Sequence, residues 1–400
     1  MPDAAGPESP PAATPQAWRG GPADPTRRRG ILFLGLAVAA VGFTMALQMG
    51  LNANFLADDI GVSGFQMGLL EACRESCGVI AFGALALLAG FAEPLVGAGM
   101  LLLLAAGLAA YMFVHDYTWV VLMSLVWSQG LHVWMPLPNA MALALAEPGR
   151  AGHRLGQVGA AGAAGFALGL AAAFLLTLAG VPMRPMYLAA GAAAVLGAAA
   201  CLGIPRNLKT PGPRLVFRRR YALYYLLCFL EGWRKQIFMC FAGFLLVRVY
   251  HTRLEAMLLL WGTVQVIGYF ASPRVGRLID RVGERRILVA YYASLILVFI
   301  GYAAIPNVYV LYALFVADSA LFVMSMALTT FVNRIAPPSE HTPTLSMGVA
   351  MNHVAAVAMP LTGGLLWTLG YPWAFALGAL AAALSILAAL RVPQGKTVGA

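Results

Sequence analysis

Residues 221–247 read YALYYLLCFLEGWRKQIFMCFAGFLLV, an apolar run with three charges near its middle. Glu231, Arg234 and Lys235 lie about ten residues from its start, which in a helix is a depth of roughly 15 Å, near the centre of a bilayer core of about 30 Å. Charges at that depth are costly, and they commonly mark a substrate or ion pathway. The stretch therefore predicts a membrane-spanning helix with functional residues at its centre.

The composition of the whole chain supports a membrane protein. Of the 400 residues, 61% are hydrophobic and 10% are charged, whereas soluble domains carry about 25% charged residues. The net charge of +10 comes from clustered basic residues, so nucleic acid is not favoured as a partner. The five cysteines lie in apolar segments and are interpreted as small buried hydrophobes. No cofactor is predicted.

Eleven further apolar segments are long enough to cross a bilayer, and continuous runs of this length predict helices. The twelve predicted spans are 31–56, 64–90, 94–113, 118–146, 154–180, 184–204, 221–247, 255–275, 287–304, 308–333, 343–369 and 372–391. A basic, proline-containing loop divides them into two sets of six. The predicted domains are a disordered tail (1–30), an N-terminal bundle (31–204), a linker (205–220), a C-terminal bundle (221–391) and a short tail (392–400).

The distribution of Lys and Arg predicts the orientation in the membrane. With the N-terminus inside, twenty of the 26 basic residues lie in cytoplasmic segments or segment ends, three lie on the opposite side and three lie well inside spans. Positive charge accumulates on the cytoplasmic side of membrane proteins. Both termini are therefore predicted to lie in the cytoplasm, with the chain in the inner (plasma) membrane.

The two halves of the chain have the character of repeats. Gly83 and Gly90 correspond to Gly276 and Gly283 at one common offset of 193 residues (276 − 83 and 283 − 90). That offset is close to half the chain length. Parallel repeats of six helices are a common architecture of secondary transporters.

Residues 276–286 read GRLIDRVGERR, and this stretch resembles the cytoplasmic motif G-x-L-x-D-R-x-G-x-R-R of the major facilitator superfamily. The resemblance covers residues 31–391. It implies an all-α fold of two six-helix bundles, related by a pseudo-two-fold axis, around a cavity that opens alternately to each side. The cavity would be lined by the first, fourth, seventh and tenth spans. The chain departs from the family in the loop after the second span, which lacks the motif's charges, and in the fifth span, which lacks the Gly-Pro motif of drug/proton antiporters.

The motif in the loop between the eighth and ninth spans has a mechanical interpretation. A cytoplasmic acid flanked by bases can pair with the neighbouring bundle in one state and release it in the other. The predicted conformational latch consists of Gly276, Asp280, Arg281, Gly283, Arg285 and Arg286.

Two groups of three charged residues, each inside one predicted span, indicate where the functional site lies. In each trio, Glu71–Arg74–Glu75 and Glu231–Arg234–Lys235, the spacing of three or four residues places the members side by side on a helix. Each trio could therefore neutralise itself and fix helix packing. Because buried ion pairs contribute little net stability, a functional role is favoured, in which Arg234 holds a carboxylate through two hydrogen bonds. The predicted substrate-binding residues are Arg234, Lys235, Glu231, Trp233, Gln48, Asn52, His132 and Gln129, and the predicted proton-coupling residues are Glu71, Glu75, Arg74, Glu231, Asp318 and His353.

The predicted function is secondary active transport of a small organic solute, in particular an anion or carboxylate, coupled to protons. The expected partners of the monomeric chain are this solute, protons and the lipid bilayer. Drug or metabolite efflux by proton antiport is the main alternative, because uptake and efflux use the same architecture. Met45 and Met49 share one helical face and leave copper transport as a lesser alternative, although no metal site is predicted. A ligand sensor that transports nothing is another. The sequence contains no P-loop, HExxH or GxSxG motif, so an enzyme is not predicted.

Overall fold

The computed structural model describes residues 24–147, 150–209 and 217–393, which form fourteen α-helices. The helices are α1 (Pro25–Asn54), α2 (Gly64–Leu87), α3 (Glu93–Ala109), α4 (Tyr117–Trp134), α5 (Leu137–Ala144), α6 (Ala151–Leu178), α7 (Met183–Cys201), α8 (Ala222–Arg248), α9 (Leu254–Val282), α10 (Glu284–Ala304), α11 (Val308–Phe322), α12 (Met326–Ile335), α13 (Pro338–Trp367) and α14 (Tyr371–Ala389). α4 and α5 make one span, as do α11 and α12. The prediction of an all-α membrane protein with twelve transmembrane helices is confirmed.

Ten of the twelve spans in the described part of the chain are long and apolar enough to cross a membrane by composition alone. The other two, α2 and α8, each carry one charged trio. Their lengths of 24 and 27 residues correspond to roughly 36 and 40 Å, more than the hydrocarbon core of about 30 Å. These two helices are therefore long enough to span, provided that their charges face protein or a wet cavity.

The helix contacts repeat between the two halves. In the first half, α1 packs against α6 and α7, and in the second half α8 packs against α13 and α14. Likewise, α3 lies against α7 as α10 lies against α14. A Cβ added to Gly165 of α6 would lie 1.9 Å from the carbonyl oxygen of Ala39, so glycine is what lets α6 approach α1 so closely. The chain thus forms two six-helix bundles of the same design.

Contact between the bundles is close at one end of the molecule. We call the end with the start of α1 and the end of α14 the terminal end, and the opposite one the far end. Near the far end α2 crosses α13, where a Cβ on Gly68 would lie 2.2 Å from the carbonyl oxygen of Pro360 and 2.9 Å from the Cα of Gly364. Nearer the terminal end, the Cβ side of Gly83 on α2 faces open space. The two bundles are therefore in main-chain contact near the far end.

The first helix begins earlier than predicted. The expected tail extends to residue 30, but α1 starts at Pro25, a favourable first helical position, and the Asp24 side chain accepts a backbone hydrogen bond of 2.9 Å from the first turn. The Arg27 side chain is buried, donates to the carbonyl oxygen of Leu145 (2.8 Å) and pairs with Glu147 (2.7 Å). These contacts extend the helix beyond its apolar run. Residues 1–23 and 394–400 of the predicted tails and 210–216 of the predicted linker lie outside the described residues.

Two spans are interrupted. The break between α4 and α5 falls beside Pro136 and Pro138, as expected where proline removes a backbone donor from a helix. Between α11 and α12, residues 323–325 form a 3-10 turn, which contains no proline and was not predicted. The two interrupted spans are the fourth of each bundle, so the interruption follows the repeat even though the proline does not.

Candidate functional site

A cavity of about 120 Å³ lies between the two bundles, which is the volume of roughly four waters. Its walls come from α1, α2, α8, α9 and α11. The first, seventh and tenth spans therefore contribute to it, whereas no described residue of the fourth span does. Its polar and charged lining residues are Gln48, Asn52, Glu71, Arg74, Glu75, Lys235 and Gln236. The lining is polar and charged, as a path for a polar solute requires.

One wall of the cavity carries an ion pair within α2. Arg74 donates a hydrogen bond to Glu71, one turn earlier in the helix. The guanidinium of Arg74 also lies over the ring of Trp127, with its central carbon 4.4 Å from the ring centroid, a cation–π contact that holds it in place. Glu71 and Arg74 thus neutralise each other while both remain at the cavity wall.

Lys235 faces the same cavity from α8. Among the described residues, no carboxylate oxygen lies within 4.0 Å of its ammonium nitrogen. Its situation therefore differs from that of Arg74, whose charge is balanced by Glu71. Glu75 on the same cavity wall attracts Lys235 only at longer range, and a partly buried ammonium group without a direct carboxylate contact favours the binding of an anion.

The neighbouring base, Arg234, points into the second bundle. It donates hydrogen bonds to Glu231 (2.5 Å) and to the hydroxyl of Tyr291 (2.6 Å), and its other terminal nitrogen lies 3.4 Å from Asp318. All four side chains are buried, and none belongs to the cavity wall formed by the described residues. Because consecutive residues of a helix are rotated by about 100°, Arg234 and Lys235 face different surroundings. The structure brings Lys235 to the cavity and places Arg234 and Glu231 in a closed cluster that joins α8, α10 and α11.

The third charged residue of α2 reaches across to the second bundle. The Oε2 atom of Glu75 lies 3.1 Å from Nδ1 of His353 on α13. The ring of His132 on α4 lies edge-on to that of His353, with 5.3 Å between centroids. Nδ1 of His132 is 2.8 Å from the carbonyl oxygen of Ser128. Three predicted site residues from distant parts of the chain therefore form one cluster, which we call the Glu75 cluster: Glu75, His132 and His353.

The remaining predicted substrate-binding residues form two groups, one that lines the cavity and one that does not. Gln48 donates a hydrogen bond of 3.1 Å to Asn52, and both line the cavity. Trp233 packs edge-on against Phe229, and neither it nor Gln129 belongs to the described cavity wall.

Some site residues were not predicted from the sequence. Gln236, next to Lys235, lines the cavity, and its polarity within an apolar run was a usable signal. Tyr291 could not be predicted, because a tyrosine within an apolar span is common and does not indicate that its hydroxyl contacts both Arg234 and Glu231.

The predicted latch lies at the terminal end, where α9 ends and α10 begins. Gly283 has a φ of +85°, a backbone conformation that favours glycine, and there the chain turns into α10. Asp280 and Arg281 are exposed, and neither has an ion-pair partner within 4.0 Å in the described chain. Within the described ranges this predicted latch makes no ion-pair contact with the first bundle through Asp280 or Arg281, and its role stays a prediction.

In each bundle, one carboxylate outside the spans stabilises the terminal end. Glu147 pairs with Arg27 and, at 3.2 Å, with Arg150, and the hydrogen bond from Arg27 is the main cause that holds the pKa of Glu147 below its usual value. Glu340 accepts a hydrogen bond of 2.6 Å from the Tyr221 hydroxyl, which likewise lowers the pKa of Glu340. These contacts tie α1 to the end of α5 and the start of α8 to α13.

Comparison with known proteins agrees with this architecture. The family model described as Major Facilitator Superfamily matches residues 32–342 and 271–399, and no match is found among curated proteins. The fold is similar to the nucleoside transporter NupG (15% identity, TM-score 0.71, covering 90% of this chain and 97% of that one). It is also similar to a bacterial homologue of the human lysosomal transporter Spinster in an inward-facing, unoccupied conformation (13%, 0.73, 92% and 98%) and to a D-xylose–proton symporter (13%, 0.72, 93% and 99%). Because the family model matches most of its length, the chain belongs to the major facilitator superfamily of membrane transporters.

Proposed function

We propose that the chain is a secondary active transporter of the plasma membrane that moves a small organic anion together with a proton. The observation that carries this proposal is the ammonium group of Lys235, which faces the cavity between the bundles with no carboxylate oxygen of the described residues within 4.0 Å. Four charged side chains in a cavity with the volume of roughly four waters suit a compact charged solute better than a bulky apolar drug. The D-xylose–proton symporter among the similar folds is consistent with proton coupling.

The ion pair of α2 provides a mechanism that couples proton binding to substrate binding. Arg74 is occupied by Glu71 while that carboxylate is ionised. When Glu71 takes up a proton, its charge disappears and the guanidinium of Arg74 becomes available to the carboxylate of a substrate. The substrate anion then bridges Arg74 and Lys235. Because each event favours the other, proton and anion bind with positive coupling.

Transport requires that the cavity open to each side in turn. The bundles are in close contact at the far end, at Gly68 and where the Asn54 side chain donates a hydrogen bond of 3.0 Å to the carbonyl oxygen of Thr252, which supports a conformation that opens toward the terminal end. With both termini in the cytoplasm, as the distribution of basic residues predicts, this conformation opens to the cytoplasm. The predicted latch would then engage when the terminal end closes.

The first experiment tests the substrate class. Purified protein in detergent is screened by thermal shift against organic carboxylates, organic phosphates, amino acids, sugars, nucleosides and drugs. We expect stabilising ligands to carry an anionic group. Lys235→Gln should weaken their binding by about 10- to 100-fold, since a charge-assisted hydrogen bond contributes about 1.5–3 kcal/mol. Lys209→Gln, an exposed lysine in the linker, is the matched control. Hits limited to neutral sugars, nucleosides or drugs would contradict the proposal.

The second experiment tests coupling in proteoliposomes. Glu71→Gln replaces the carboxylate with a neutral group that resembles its protonated form, so exchange of labelled for unlabelled solute should persist. Accumulation driven by an imposed pH gradient should be lost. Glu255→Gln, which removes a carboxylate at the far end, should behave like the wild type. Gradient-driven accumulation by Glu71→Gln would show that another group carries the proton, and the direction of accumulation distinguishes symport from efflux by antiport.

A further inference from the structure

We infer that the Glu75 cluster is a binding site for a divalent transition-metal ion of the Zn²⁺ class, placed across the contact between the two bundles. This inference goes beyond the proposed transport cycle and assigns the cluster neither a substrate nor a proton. Glu75 on α2 and His132 on α4 belong to the first bundle, and His353 on α13 belongs to the second. The site exists only where α2 and α13 are packed together.

The donor atoms are close enough to hold one ion. One donor atom from each of the three side chains lies within 4.8 Å of the other two. In tetrahedral coordination at about 2.0–2.1 Å, donors are roughly 3.4 Å apart. The distance of 3.1 Å between Glu75 and His353 already meets this requirement, and the widest pair needs to close by at most about 1.4 Å. Two imidazoles and one carboxylate, with a water as fourth ligand, are a known donor set for Zn²⁺.

A second observation concerns the protonation of His132. The Ser128 hydroxyl donates its hydrogen bond to the carbonyl oxygen of Arg74 (2.9 Å), and the carbonyl oxygen of Ser128 lies 2.8 Å from Nδ1 of His132. A carbonyl oxygen only accepts, so Nδ1 of His132 carries the proton and Nε2 keeps a free lone pair. This is the arrangement found in metal-binding histidines, in which the ring N–H is held by a backbone carbonyl or carboxylate.

Gly78 makes the space in which the two rings meet. It lies three residues after Glu75 on α2, and a Cβ at this position would lie 2.5 Å from Nδ1 of His353 and 3.0 Å from Cδ2 of His132. Even an alanine would force the imidazole of His353 to leave its present position. The backbone of α2 is thus shaped to admit both rings beside the carboxylate.

Metal binding has a consequence for the conformation. The hydrogen bond between Nδ1 of His353 and Glu75 contains a proton, and Zn²⁺ displaces this proton to solvent when it takes both atoms as ligands. The bound ion then joins α2 to α13 through coordinate bonds. Because the ion binds only the conformation in which the two helices are in contact, it stabilises that conformation.

The test measures binding of Zn²⁺ to the purified full-length protein after treatment with a chelator. Isothermal titration calorimetry gives affinity and stoichiometry, and the visible absorption of Co²⁺ reports four-coordinate geometry. We expect one ion per chain and a higher melting temperature with Zn²⁺. Glu75→Gln, His132→Gln and His353→Gln should each weaken affinity by more than about tenfold. His153→Gln, which changes an exposed histidine outside the cluster, should bind as the wild type does.

A variant that keeps all three donors provides an independent test. Gly78→Ala should also lose the metal because its methyl group displaces His353, whereas Gly83→Ala, with open space at its Cβ, should bind normally. If a histidine variant does not fold, Gly78→Ala and Glu75→Gln decide the matter. Absence of Zn²⁺ binding by the wild type, or unchanged binding by the folded cluster variants, would overturn the inference.

Discussion

Replacement of Arg234 separates a structural role of the buried cluster from a substrate-binding role. Arg234→Gln leaves the carboxylates of Glu231 and Asp318 buried without their cation. At an effective dielectric constant of about 20, each close pair contributes about 4 kcal/mol of attraction, and the desolvation of three charges offsets part of the sum. Removal of one partner from such a cluster costs about 3–5 kcal/mol. We therefore expect Arg234→Gln to unfold more readily, with no specific effect on the cavity.

The assay is thermal unfolding in detergent. An unfolding entropy of about 2 cal/mol/K per residue gives roughly 0.8 kcal/mol/K for 400 residues, so the expected loss corresponds to a decrease in Tm of about 4–6 °C. Lys235→Gln, at the next position and without an ion-pair partner in the described chain, should change the Tm by less than about 1 °C. The triple variant Arg234→Met, Glu231→Gln, Asp318→Asn should recover most of the stability, since it leaves no uncompensated charge. An unchanged Tm with loss of ligand binding in Arg234→Gln would refute the reasoning.

Three further predictions follow from the contacts between and within the bundles. Gly68→Ala forces a methyl group against the backbone of Pro360 and should shift the population toward a state open at the far end by about 1–3 kcal/mol. Spin labels on the far-end loops measure this shift, and Gly83→Ala should leave the population unchanged. Asp280→Asn should weaken the proposed latch and favour the state open at the terminal end, and an unshifted label distance would argue against a latch. The pKa of Glu147 is lowered by folding, so its stabilising contribution is present above its ordinary pKa and is lost at acid pH. The Tm difference between wild type and Glu147→Gln should therefore vanish as the pH falls below about 4; a constant difference would contradict the ion-pair account.

The spans and the approximate site could be predicted because they depend on local patterns. Apolar runs of bilayer length define helices, and a charge in the middle of such a run is rare enough to mark a site. Both trios predicted in this way contribute to the candidate site. The α2 trio lines the cavity, and so does Lys235 of the α8 trio.

The partners within each trio follow from the helical spacing, and the pairs Glu71–Arg74 and Glu231–Arg234 form. The partners from other helices could not be predicted, because they depend on how helices far apart in the chain face one another. Arg234 also contacts Asp318 on α11, whereas Lys235, the next residue, faces the cavity. His132 and His353 are separated by 221 positions (353 − 132) and meet only because α4 and α13 both pack against α2. A single sequence gives the period of a helix but not its rotation about its own axis.

The crossing of α2 and α13 at Gly68 and Gly364 brings main chain against main chain. One turn earlier on α2, the indole of Trp367 lies against Gly64, where a Cβ would come within 2.1 Å of its ring. A methyl group at either glycine would hold the two helices apart. These glycines therefore set how completely the far end can seal.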